Sequence, residues 1–202
     1  MALVDRAKNM ILKPKAEWPI AAAESTDVGS LYAGYIAPLA AITPICSFVG
    51  MTFIGITMPF IGTYRTPVVS GVIQAVISYV VALVAVYIVG WIAAALAPSF
   101  GGVKDQLQGI KLCAYSSTPV WIAGVVTLYS PLGIIVLIAA LYGLYVLYLG
   151  VPDTMKVPKE KTIGFIAVLI IVEIVVFVLV GIVAGVARSM AGGGAMMPGI
   201  TH

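Results

Sequence analysis

The chain has 202 residues, 61% of them hydrophobic and only 9% charged, with a net charge of +3 and a mean hydropathy of +1.11. Soluble domains carry about 25% charged residues and roughly 45–50% apolar ones, and a water-soluble protein this greasy would aggregate through its exposed patches. A soluble globular fold is therefore excluded. Basic residues that fall in clusters between apolar runs, not along one face, argue against a nucleic-acid partner.

The N-terminal unit, residues 1–30, is expected to be cytoplasmic. Leu3, Val4, Ala7, Met10 and Ile11 recur at helical i, i+3, i+4 spacing, with Asp5, Arg6, Lys8 and Asn9 between them, and Pro14 stops the pattern. Such an amphipathic helix is expected to lie in the membrane interface, with Lys8, Lys13 and Lys15 toward anionic headgroups and Trp18 at the same depth. The alternative is a short cytoplasmic helix packed on the protein's own loops. The unit lacks an uninterrupted apolar core and a small-residue cleavage site, so it does not read as a signal peptide. Ala2 stands where myristoylation needs glycine.

A spanning helix needs roughly 20 mostly apolar residues, and five segments of residues 31–190 meet or approach that length. The first runs from about Leu31 to Phe53 and contains Pro38 and Pro44; the second runs from about Pro67 to Ala97. The third, about Ile110 to Tyr129, is the weakest, because it carries Ser116, Ser117, Thr118 and Pro119. The fourth, about Leu132 to Gly150, follows after only Tyr129, Ser130 and Pro131, which implies a tight antiparallel hairpin. The fifth runs from about Thr162 to Ala187, and residues 191–202 read as a flexible external tail. Cys46 and Cys113 lie inside apolar runs without metal-ligand spacing and read as small core residues.

Orientation follows the lysines and arginines. With the N-terminus inside, the cytoplasmic segments hold Arg6, Lys8, Lys13, Lys15, Lys104, Lys111, Lys156, Lys159 and Lys161, and the outer ones hold Arg65 and Arg188, nine against two. An even number of spans would require losing a segment, and the third is the weakest. The expected fold is an all-α integral membrane protein: five transmembrane helices preceded by a short amphipathic interfacial helix.

Glu173 is the acidic residue deepest in a span. Counted from Thr162, it lies ~16 Å along the fifth helix, where a carboxylate is costly and faces the bundle interior or a wet cavity. Gln74 and the Ser116-Ser117-Thr118 run would reach comparable depth and are its natural hydrogen-bond partners. The functional reading is a proton or substrate relay; the structural one is a neutral carboxyl gluing helices together. Ser116-Ser117-Thr118-Pro119 makes either a hinge or a tolerated kink. Tyr142, Tyr145 and Tyr148 form one stripe on the fourth helix, Gly181 and Gly185 a GxxxG pair in the fifth. Lys156, Lys159 and Lys161 satisfy the positive-inside bias and are expected to touch acidic lipid, or else to dock a partner. No glycine-rich phosphate loop, HExxH or nucleophile elbow is present in the sequence, and neither a metal nor a cofactor is expected.

The stretches KPKAEW (Lys13–Trp18), KLCAYSSTPVWIAG (Lys111–Gly124) and LYGLYVLYLGVPDTMKVPKEK (Leu141–Lys161) resemble the bacterial branch of the Yip family, the Ypt-interacting proteins. The resemblance covers nearly the whole chain and implies the five-span layout with a cytoplasmic N-terminus. Eukaryotic members partner Rab GTPases and carry an acidic-leucine-tyrosine motif ahead of the first span, which Asp27-Val28-Gly29-Ser30-Leu31-Tyr32 echoes only loosely.

The expected function is a non-enzymatic scaffold, membrane-shaping factor or accessory subunit of a membrane complex. Its expected partners are membrane lipids, including anionic headgroups, and a membrane protein or a second copy of the chain. The competing reading is a channel, small-solute transporter or lipid-moving protein built on Glu173 and the Ser116–Pro119 break.

Overall fold

The computed structural model describes residues 3–58, 62–129 and 132–191. Helices dominate them. Two short ones open the chain, α1 (Leu3–Leu12) and α2 (Pro14–Ala23), the second started by Pro14 in its first turn. A spanning stretch, Val28–Ile54, follows. Its Ncap is Asp27, whose carboxylate accepts from the Ser30 amide at 2.9 Å and the Ser30 hydroxyl at 2.5 Å. Those two bonds hold the Asp27 carboxyl below its usual 3.8.

That first span is irregular. It is built from α3 (Val28–Leu31), a π turn at Tyr32–Ile36, α4 (Ala37–Ala40), α5 (Ile42–Val49) and a second π turn at Gly50–Ile54. Pro38 and Pro44 lie between the π turns, and each removes an N–H from the i→i−4 ladder. Gly55 then turns the chain at φ 81°, in the left-handed region that glycine enters freely. It leads into a two-stranded antiparallel hairpin, β1 (Ile56–Met58) with β2 (Gly62–Tyr64), that the sequence did not announce.

The remaining long helices are α6 (Val68–Leu96, continued by a 3-10 turn to Phe100), α9 (Gly133–Thr154) and α10 (Lys159–Ala191). Between α6 and α9 lies the segment expected to be the third span, interrupted where the Ser116–Pro119 run was expected to loosen it. It is broken into α7 (Gln106–Ser116), α8 (Thr118–Ala123) and a 3-10 turn at Gly124–Leu128. The cause is local. Pro119 has no N–H to give, and the hydroxyls of Ser116 and Ser117 both donate to Cys113 O, at 3.1 and 2.8 Å, competing with the backbone ladder.

Among the described residues, four helical stretches are long and apolar enough to cross a membrane: Val28–Ile54, Val68–Phe100, Gly133–Thr154 and Lys159–Leu179. The broken α7–α8 segment does not meet that criterion, so four of the five expected spans are seen as continuous helices. The segment is nonetheless enclosed, with every residue from Gly109 to Ser116 buried. α7 packs closely on α6 because Gly90 and Gly109 meet at the crossing; a β-carbon on Gly90 would lie 2.7 Å from Ile110 Cα. Among the described residues the Gly181/Gly185 pair makes no such crossing, since a β-carbon at either position would meet nothing within 4 Å. The predicted tail from residue 192 onward, together with Ser130 and Pro131 of the predicted tight turn, lies outside the described residues.

Candidate functional site

The amphipathic pattern of residues 3–12 does form a helix, but its buried face is spent inside the protein. Ala7 and Met10 are buried against the protein's own helices, and Trp18 on α2 is fully buried. The indole Nε1–H of Trp18 donates to Val146 O at 2.9 Å, and a β-carbon on Gly150 would come within 2.5 Å of the indole ring. Tyr142 adds a further tie, its hydroxyl donating to Ile11 O at 2.6 Å. The face that the interfacial reading gave to lipid is covered by protein, in a helical hairpin docked along α9.

The reason is electrostatic as well as apolar. Arg6 falls on the same face as Ala7 and Met10, and it is 4% exposed. Its guanidinium donates to Glu17 at 2.6 Å and also pairs with Glu24. Its Cζ lies 5.7 Å from the ring centroid of Tyr115. Tyr115 in turn packs edge-on against Tyr35 and Trp18, with centroids 4.8 and 5.9 Å apart. The Tyr35 hydroxyl shares a 2.7 Å hydrogen bond with Thr118 Oγ1. Lys111, 1% exposed, donates to Ala21 O at 2.9 Å and Glu24 O at 2.6 Å, supplying the end of α2 with a cation.

Sequence reasoning missed this hub. The signal was available: Arg6 and Glu17 each stand in phase with the apolar stripe of their own helix, Arg6 one turn before Met10 and Glu17 one turn before Ala21. A charge on a buried stripe is tolerated when a partner of opposite sign meets it. Lys111 had been counted only toward orientation.

The polar cluster predicted around Glu173 is brought together in part. Glu173 lines a cleft of about 360 Å³ bounded by α6, α7, α8, α9 and α10, and Ser116 and Ser117 line the same cleft. Thr118 is turned away toward Tyr35. Gln74 is exposed and lies elsewhere, at a small cavity of about 40 Å³ between the first span and α6. Glu173 itself forms no hydrogen bond with any described residue, so the expected bond to the second or third helix is not made. Nor does it face the bundle interior as expected: Glu173 is exposed, at the edge of the cleft.

The predicted lipid-contacting lysines are all exposed: Lys8, Lys13 and Lys15 on the hairpin, Lys156, Lys159 and Lys161 after α9. They form two groups rather than one. The hairpin turn meets α9 near Tyr142, whereas the second group follows Thr154, twelve residues further on and ~18 Å along the helix axis at 1.5 Å per residue. Tyr145 and Tyr148 of the tyrosine stripe are exposed, and Tyr142 is half-buried.

Three stretches distant in sequence therefore converge on one site: Lys13–Trp18, Lys111–Gly124 and Leu141–Lys161, the same three that carry the family resemblance. The Yip1 domain matches residues 8–188. The chain belongs to the Yip1 family. Within this family it is similar to the inner membrane protein YohC of Escherichia coli strain K12. The two are 27% identical over 155 residues, 75% of this chain and 80% of the relative. The same figures hold for YohC of the Escherichia coli O6:H1 strain. No solved structure matches the chain. This Yip1-family chain is a multi-span membrane protein.

Proposed function

We propose that the protein is a non-enzymatic scaffold or accessory subunit of a bacterial inner membrane, with five spans, a cytoplasmic N-terminus and an external C-terminus. The carrying observation is the division of its cations. Arg6 and Lys111 are consumed in holding the hairpin, while the seven other lysines of the cytoplasmic side remain exposed, three of them on the hairpin, three after α9 and Lys104 between α6 and α7.

Lys8, Lys13 and Lys15, exposed on the hairpin, suit anionic headgroups, each contributing about 1 kcal/mol near a charged surface. Lys156, Lys159 and Lys161 form a separate exposed group between the end of α9 and the first turn of α10. They suit an acidic segment of a membrane protein partner. The broken α7–α8 segment, enclosed by its neighbours, serves as the fifth crossing; irregular backbone is tolerated at membrane depth where protein buries it.

Proteoliposomes carrying the full chain test this reading. Proton and small-solute flux should stay at the level of protein-free vesicles and be unaltered by Glu173→Gln. Reversing Lys156, Lys159 and Lys161 to Glu should abolish cross-linked neighbours in native membranes while leaving anionic-lipid binding intact. Protein-dependent flux that Glu173→Gln removes would replace the scaffold with the transporter reading.

A further inference from the structure

The cleft around Glu173 has a polarity that none of its structural duties explains. Its walls are apolar, supplied by Leu144, Leu147, Leu169 and Val176 among others, and its mouth is edged by exposed Leu141, Glu173 and Phe177. Its size, about 360 Å³, falls within the roughly 300–1,000 Å³ of small-molecule sites. What matters is the kind of polar group inside. A hydroxyl has one proton to donate, and those of Ser116 and Ser117 are both committed to Cys113 O. Each hydroxyl oxygen keeps acceptor capacity, and the Glu173 carboxyl adds two oxygens with no partner among the described residues. No lining residue is basic. The cleft thus offers acceptors and a carboxyl that can ionise beside a cation, with no cation of its own to receive an anion.

We propose that this cleft binds an amphiphilic amine: an aliphatic or aromatic body seated on the leucine and valine walls, with its ammonium donating to Glu173 and to the hydroxyl oxygens of Ser116 and Ser117. A low-dielectric surround strengthens such a pair well beyond its worth in water. A phosphate- or carboxylate-headed amphiphile meets only repulsion there, and a neutral alcohol forgoes the charge. The selectivity is therefore cation over neutral over anion.

The test uses the full chain in phosphatidylcholine nanodiscs, with decylamine, decanol and decanoate as probes and protein-free nanodiscs as the background. Decylamine should bind saturably at one site, at least tenfold more tightly than decanol, with decanoate weaker still. Glu173→Gln keeps side-chain shape and should weaken decylamine at least tenfold without weakening decanol. Ala140→Phe, which fills the cleft from α9, should remove binding of both. Equal affinity for the three probes, undiminished amine binding by Glu173→Gln, or uptake no greater than that of empty nanodiscs would each overturn the proposal; the last would leave the cleft as a seat for lipid chains. Should Ala140→Phe fail to fold, the comparison of Glu173→Gln with the native chain decides the matter alone.

Discussion

Trp18 occupies the space that any side chain at position 150 would need, for a β-carbon on Gly150 would lie 2.5 Å from two atoms of the indole ring. The two residues are 132 positions apart, and their contact fixes where the N-terminal hairpin sits along α9. Because the neighbour is a rigid bicyclic ring held by a hydrogen bond to Val146 O, it cannot yield by rotating a flexible end.

Gly150→Leu should accordingly expel Trp18 from its slot. Tryptophan emission should shift to the red, and limited proteolysis should cut within residues 3–23, which the native chain protects. Trp18→Phe should be milder, at about 1 kcal/mol, since it keeps most of the ring volume and loses one hydrogen bond. Emission and cleavage patterns identical to the native protein in Gly150→Leu would show that the hairpin is not held at this point.

Removing one side of the buried ion pair should be severe. Arg6→Ala strands Glu17 in an apolar site, at a cost on the order of 3–5 kcal/mol, whereas replacing both partners by Met and Leu should cost far less. Glu24 is more exposed than Glu17, so Glu24→Gln should cost under about 1 kcal/mol. Equilibrium unfolding in mixed micelles gives the order. Arg6→Ala proving no worse than Glu24→Gln would refute the hub as the hairpin's lock.

Lys111 makes its two bonds to backbone carbonyls, so charge matters less than reach and donors. Lys111→Met should expose the end of α2 to hydrogen exchange at residues 21–24 by at least tenfold, and Lys111→Arg should recover part of the protection. Unchanged exchange in Lys111→Met would mean that α2 is held by Trp18 alone.

Asp27 provides the pH dependence. Its folded carboxyl titrates below 3.8, and an unfolded aspartate titrates near ~3.9. A depressed carboxyl contributes stability that is present above the unfolded value and is lost as pH falls through the folded one. The start of the first span should therefore loosen only below about pH 4, read as faster exchange or a shift of the Ser30 amide. A midpoint above that value, or no response of Ser30, would contradict the capping geometry.

Topology has a direct check as well. A reporter fused after His202 should be active outside, and one placed in residues 103–106 should be active inside. A cytoplasmic signal after His202 would mean that the α7–α8 segment does not cross.

Composition and hydrophobic length by themselves place this chain in a membrane. A run of about 20 apolar residues has no stable place in water and one obvious place in a bilayer. For that reason the long segments, the prolines that irregularise the first span and the break at Ser116–Pro119 were all legible from local chemistry. The three stretches that carry the Yip resemblance were legible too. What needed tertiary structure was everything decided by a partner far away in sequence. Arg6 reads as a cytoplasmic charge until Glu17, Glu24 and Tyr115 surround it. Gly150 is one glycine among 21 until Trp18 fills its missing side chain. The α1 pattern announces an apolar face but cannot say whether lipid or protein covers it, since both are equally greasy, and the choice fell to an ion pair and an indole slot. Glu173 was found by depth alone, yet which way it faces, exposed at the edge of a cleft and not enclosed by the bundle, was decided by how α10 packs against its neighbours, which no spacing rule encodes.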